Sequence, residues 1–334
     1  MRFGLALPHY DFSRPDGAPV SWQALASAAR RAEALGFDSV WISDHFFLSL
    51  ARYGGPDEPY GTPEALSALA GLAAATERVR LGTLVLCSGF RHPAMVAKAA
   101  VTIDLLSGGR LDLGLGAGWS EDEYDAFGYR FGSVGDRFEL LEETVEVLSL
   151  LFGEKEPVTW EGRHYRLDQA YCRPRPAQPS GPPLWVGGKG GSRLARLVAR
   201  RADGWNTVWT WTPEAYVERV RVLEKACHRH NRDPASVRRS VGLYALVGED
   251  DRDLAARWRA LQRWTPGGAL DGLTVEAWGT DKLVGTRDRV LDRIRAFADL
   301  GVEEMIVSVG SLPFAVFDDG AVEVFARSVI PAGR

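Results

Sequence analysis

Asp44 and His45 stand side by side in the run Ser43-Asp44-His45-Phe46, directly after the apolar stretch Ser39 to Ile42. A histidine at the end of a strand can give or take a proton near neutral pH, or hold a carbonyl oxygen. A histidine bonded only into its own loop would look the same in sequence. A second run, Leu111-Asp-Leu-Gly-Leu-Gly-Ala-Gly-Trp119, ends a strand-like segment in alternating small residues. Residues without bulk at a strand's carboxyl end let a large, flat molecule approach the backbone. A third run, Gly187-Gly188-Lys189-Gly190-Gly191-Ser192, lies between a strand and a helix start. Free amides at a helix N-terminus bind phosphate, and Lys189 and Arg193 add charge. An ordinary flexible turn would need the same glycines. It is not a P-loop, because the spacing to a Lys-Ser/Thr pair is wrong.

Other chemistries find little support. The six histidines, His9, His45, His92, His164, His228 and His230, show no zinc-protease spacing, and no Cys-x-x-Cys pair exists. We expect no metal site. Cys227, His228 and His230 fall too close together to share a helix face and read as a solvated turn. No Gly-x-Ser-x-Gly elbow is present. Cys87 is read as a small buried apolar residue rather than a reactive thiol.

The elements that must hold these runs alternate short apolar strands with longer helical patterns, as parallel βα units do. Strands are read at Phe3 to Leu7, Ser39 to Ile42, Arg80 to Leu86, Leu111 to Leu115, Leu184 to Gly188, Gly204 to Val208, Val241 to Val247 and Glu304 to Val309. A helix is expected from Pro63 to Ala75 with Thr62 as its cap. Another is expected from Asp136 to Phe152, where Asp136 and Glu139 have capping-box spacing. Its stripe of Phe138, Leu141, Val145, Leu148 and Phe152 reads as core. Residues 153–183 hold a hairpin turning at Glu161-Gly162 and five prolines between Arg173 and Pro183, and read as an insertion. Residues 265–281 read as irregular. Eight strands, each followed by a helix, predict a single (β/α)8 TIM barrel over residues 1–334. An open doubly wound sheet is disfavoured, because no dinucleotide fingerprint follows the first strand. In a barrel the three runs above all reach the same rim.

The chain has 334 residues, 46% hydrophobic and 25% charged, with a net charge of −4. No basic stripe argues for nucleic acid or an anionic membrane surface, and no apolar run is long enough to span a bilayer. The N-terminal apolar stretch is too short for a secretion signal. Three widely spaced cysteines do not make a disulfide framework, so a reducing cytoplasm is expected.

Several segments together resemble the bacterial luciferase-like superfamily, and most closely its coenzyme F420-dependent branch. They are Leu35 to His45, Thr76 to Thr83, Phe90 to Pro93, Thr102 to Trp119, Gly187-Gly188 and Ala202 to Asn206. The likeness runs nearly continuously over residues 1–210 and returns weakly at Gly285 to Val302. It implies a (β/α)8 barrel, a homodimer, and either F420 or FMN as coenzyme. It places Asp44 and His45 beside the coenzyme ring, with Asp44 holding the ring's polar edge or orienting His45. It implies a non-prolyl cis bond at Leu84-Val85, with Leu84, Val85 and Leu86 under the ring. Gly116, Ala117, Gly118 and Trp119 would line the rest of the coenzyme, and Gly187, Gly188, Lys189 and Gly190 its phosphate. The implied activity is hydride transfer between the deazaflavin C5 and an unsaturated or imine-type organic substrate, with His45 as acid or base. Two alternatives are an FMNH2-dependent monooxygenase and a non-catalytic flavin-binding protein. The loop Phe46 to Gly61, the segment Trp209 to Thr212, Trp264 and Trp278 suggest either a lid over an apolar substrate or ordinary packing.

Overall fold

The computed structural model describes residues 1–334. Eight parallel strands form the framework: β1 (Arg2–Ala6), β2 (Ser39–Ile42), β3 (Arg80–Thr83), β4 (Leu111–Gly116), β5 (Leu184–Gly187), β6 (Gly204–Trp209), β7 (Arg238–Gly248) and β8 (Glu304–Ser308). Each pairs with the next, and β8 returns to β1 with Arg2 opposite Glu304, so the sheet closes. The strands read as nearly unbroken apolar runs because a closed parallel sheet is covered on both faces. The eight-stranded α/β barrel expected from the alternating pattern is the fold found.

The helices are α1 (Trp22–Ala34), α2 (Ala65–Ala75), α3 (Pro93–Ser107), α4 (Val134–Phe152), α5 (Ser192–Arg201), α6 (Pro213–Arg229), α7 (Asp251–Trp264), α8 (Arg287–Asp299) and α9 (Asp319–Ser328). Two starts differ from expectation. α2 begins at Ala65, capped by Glu64, whose carboxylate accepts from Ser67 N–H, rather than at Pro63 behind Thr62. α4 begins two residues earlier than expected. Its capping box joins Ser133 and Asp136, so Asp136 is the third helical residue and not the cap.

The 153–183 segment carries an antiparallel hairpin, Val158–Glu161 with Arg166–Ala170. Its turn is tied to α4 through Glu143, which accepts from the N–H groups of Arg163, His164 and Tyr165 at 2.7, 2.9 and 3.1 Å. Arg175 donates to the carbonyls of Phe152 and Gly153, placing a cation at the C-terminus of α4, where the helix dipole favours it. Residues 265–281 are more ordered than expected: they hold a 3₁₀ turn at Pro266–Gly268 and a short helix at Val275–Gly279 capped by Thr274. Cys227 and His228 continue α6 rather than forming a turn, and Cys227 is fully buried.

The floor of the barrel is polar. Glu304 accepts from the Ser39 hydroxyl and pairs with Arg2 at 3.0 Å, and Asp112 pairs with Arg80 at 2.5 Å. Trp41 and Trp185 meet edge-on above them. This plugs the amino-terminal end and leaves the opposite rim for ligands.

Candidate active site

At the carboxyl ends of the strands lies a cavity of about 730 Å³, lined mainly by apolar side chains. That volume suits a cofactor with a small substrate. Asp44, His45, Leu84, Val85 and Leu86 line it, as do Gly116, Ala117, Gly118 and Trp119. Gly187, Gly188 and Lys189 line its far end; Gly190 does not, and is turned towards Trp205. The three runs singled out in the sequence therefore converge on one space.

The His45 imidazole is held by a buried carboxylate. Its Nδ1 lies 2.6 Å from Glu123 Oε2, and Phe46 N–H donates to Glu123 Oε1 at 2.5 Å. Glu123 is 1% exposed, so little solvent competes for those bonds. A carboxylate at Nδ1 fixes the proton there and leaves Nε2 with its lone pair. Nε2 has no partner within the chain, and His45 is on the cavity wall. Glu123 sits in a short helix, Glu121–Ala126, directly after the glycine run. It was not singled out in the sequence. Three acids in a row occupy 121–123, and only the third turns inward.

Asp44 does not orient His45. Its carboxylate is clasped by Arg91 through both oxygens, at 2.7 and 2.8 Å, and also accepts from Cys87 N–H at 2.9 Å. Arg91 also pairs with Glu64. The adjacent acid and histidine therefore belong to two separate networks, because neighbouring residues at a strand end point in different directions. Asp44 remains on the cavity wall, with both carboxylate oxygens engaged within the chain.

A third network lies beside these. His9 Nδ1 donates to the Leu7 carbonyl at 2.8 Å, and its Nε2 lies 3.0 Å from Ser43 Oγ, which in turn meets Tyr10 OH at 2.5 Å. Burial pushes the His9 imidazole down to about 3, so it is neutral across the physiological range. Burial also raises the Tyr10 phenol well above its ordinary value. Cys87 is likewise inert: burial pushes its thiol up to about 11, and its sulfur rests 2.9 Å from Tyr124 OH.

The peptide bonds Leu84-Val85 and Val208-Trp209 are both cis, the second unforeseen, and both end strands at the cavity. Two of the strand glycines also have a packing role. A Cβ on Gly116 would lie 2.5 Å from Val85, and one on Gly187 would lie 2.8 Å from it. Those glycines make room for the Val85 side chain, which lines the cavity beside them.

The far end of the cavity is formed by the start of a helix. Helix α5 has Gly191 at its N-cap, with no side chain accepting from its first amides, and Ser192, Arg193 and Leu194 line the cavity. A Cβ at Gly191 would meet nothing within 4 Å. Most of the other long helices are capped by a side chain. An uncapped N-terminus opening into a ligand cavity fits the phosphate of a phosphorylated coenzyme. Lys189 lines the same end, with its ammonium donating to the Val208 carbonyl at 2.5 Å and lying over the Trp211 ring.

Near His45 the wall is apolar and aromatic, with Tyr10, Leu48, Tyr53, Trp209 and Phe314. Trp264 and Trp278 take no part. The first donates to the Arg14 carbonyl and the second packs on Trp258. For those two, ordinary packing is the correct reading.

A sequence model of the luciferase-like monooxygenase family matches residues 1–276. The chain belongs to that family. Among relatives of this luciferase-like protein is an F420-dependent glucose-6-phosphate dehydrogenase of Intrasporangium calvum. It is 32% identical, with 91% of this chain and 92% of the relative covered. An F420-dependent hydroxymycolic acid dehydrogenase of Mycobacterium tuberculosis is 30% identical over 99% of this chain and 88% of its own length. The fold matches that of an F420-dependent secondary alcohol dehydrogenase solved with an F420-acetone adduct. The TM-score is 0.76 and the identity 23%, covering 100% of this chain and 99% of that one. No helix of the luciferase-like protein is long and apolar enough to cross a membrane.

Proposed function

We propose that this protein is an F420-dependent oxidoreductase that moves hydride between a carbon of a small apolar alcohol, or its carbonyl counterpart, and the coenzyme. The observation that carries this reading is the His45 imidazole, fixed through Nδ1 by buried Glu123 and open at Nε2 on the cavity wall. When bound, F420 supplies a two-electron hydride acceptor or donor at C5 of its ring. The walls formed by Val85 and Ala117 to Trp119 would hold the ring, and the uncapped start of α5 its phosphate.

The chain's own part is positioning and proton transfer. His45 Nε2 takes the hydroxyl proton as the carbinol carbon gives up hydride, and returns it in the reverse direction. Glu123 stabilises the imidazolium so formed and keeps the ring from turning. Tyr10, Leu48, Tyr53, Trp209 and Phe314 exclude water and select an apolar substituent. The two relatives named above both bear names of enzymes acting on hydroxyl compounds, which supports an alcohol or carbonyl over the unsaturated or imine carbon expected from the sequence. A reactive carbon of either kind would use the same acid.

The test is a comparison of the wild type with His45→Ala and Glu123→Gln, assaying F420 reduction by a panel of apolar alcohols. His45→Ala lowers kcat by about 100-fold to 10,000-fold. Glu123→Gln, which still accepts from Nδ1–H but carries no charge, lowers it by about 10-fold to 100-fold. Both variants keep the wild-type affinity for the coenzyme, read by its fluorescence. Unchanged turnover in His45→Ala would overturn the assignment.

A further inference from the structure

Two grooves flank helix α5 on the outside of the barrel, and their charges differ. The groove towards α4 carries four carboxylates, Glu139, Glu142, Glu143 and Glu146, among its arginines. The groove towards α6, about 500 Å³, contains no carboxylate. Its charged or titratable walls are Arg193 and Arg196 from α5 and Lys225, Arg229 and His230 from the far half and end of α6. Val222 and Ala226 form its apolar floor.

Helical spacing explains the arrangement. Val222, Lys225, Ala226 and Arg229 recur at three and four residues and so share one face of α6. Arg193 and Arg196 do the same on α5. Glu142 takes up part of the charge of those two arginines, at 2.8 and 3.6 Å. Lys225, Arg229 and His230 make no side-chain hydrogen bond or ion pair, and all three are exposed. The nearest acids on the same helix, Glu218 and Glu224, face Arg221 and Arg239 instead.

The groove is continuous with the site already described. Ser192 and Arg193 line both it and the cavity. A chain leaving the phosphate at the start of α5 therefore meets a basic track on one side and a carboxylate-rich one on the other. F420 carries such a chain: beyond its phosphate it continues into a lactyl group and a run of γ-linked glutamates. We infer that the groove between α5 and α6 is a binding site for this acidic tail, with Arg196, Lys225 and Arg229 as its carboxylate partners. The inference rests on the coenzyme assignment above and adds residues outside the cavity to it. Exposed pairs are individually weak and screened by salt, so the groove tunes affinity and leaves the chemistry to the cavity.

The test is equilibrium titration by coenzyme fluorescence with two ligands, F420 bearing several glutamates and the same coenzyme with none. Wild type and Lys225→Gln/Arg229→Gln are compared at low and high salt. The wild type binds the tailed form about fivefold to tenfold more tightly at low salt, and the preference collapses at high salt. The double variant loses the preference and binds the tail-less form as the wild type does, which also shows that it is folded. Equal wild-type affinity for both forms, or a preference that survives the double substitution, overturns the groove assignment and leaves the cavity assignment standing. Failure of both forms to bind the wild type overturns both.

Discussion

His45 is held by a residue distant in the chain and not by the one that stands next to it. Asp44, its chain neighbour, is committed to Arg91, whereas Glu123, 78 residues away, holds its Nδ1. A pair adjacent in sequence is thus split by the alternation of a strand end, and the His45–Glu123 pair is assembled by the fold. The second buried histidine has an opposite fate. His9 is neutral when folded, with its pKa lowered by burial from 6.5 to about 3. Between those values the unfolded chain binds a proton that the folded chain does not, so stability falls as pH drops through that window. The slope from this group is about 1.4 kcal/mol per pH unit. In His9→Gln, which cannot titrate but can still donate to Leu7 and accept from Ser43, that slope is absent. Urea unfolding at pH 7, 5.5 and 4.5 measures it. Parallel losses in the two proteins would show that His9 is not the acid-sensitive group.

At the scale of elements, helix α5 stands out for what it lacks. Its N-terminus opens into the cavity under Gly191 with no side-chain cap, and the space beside Gly191 is empty. Gly191→Asp is sterically free and supplies a cap and a favourable charge for the dipole. It stabilises the fold by about 0.5–1 kcal/mol. The same carboxylate opposes a phosphate, so coenzyme binding weakens by at least about tenfold. Thermal melting and coenzyme titration on the one variant read both effects. A variant that binds coenzyme normally would remove the phosphate from this helix start. The elements themselves were largely legible, because barrel strands are short apolar runs bounded by polar turns, and Gly187 to Ser192 announced a strand-to-helix turn. Two kinds of detail were not. A helix start depends on which nearby oxygen wins the first amides, so Ser133 displaced Asp136 and Glu64 displaced Thr62 as caps. The purpose of Gly116 and Gly187 depends on Val85, which reaches them from another strand.

At the scale of the molecule, the barrel closes its floor with buried polar groups and spends its other rim on a single cavity. The convergence of residues 44–45, 84–86, 116–119 and 187–189 there follows from strand order alone, which is why the alternating pattern foretold it. Glu123 was hidden because sequence spacing does not say which of three consecutive acids turns inward. For the tryptophans at 264 and 278 lid and packing stayed open in the sequence, because aromatic residues under long loops look alike whether they face a ligand or a helix. The proposed reaction passes hydride directly between substrate carbon and coenzyme in this cavity. The most direct test is anaerobic turnover of an apolar secondary alcohol carrying deuterium on its carbinol carbon, with F420 as acceptor and mass analysis of the reduced coenzyme. One deuterium is expected at C5, with no need for oxygen. Turnover that leaves C5 with solvent hydrogen only, or activity that appears only with reduced FMN and consumes oxygen, would contradict it.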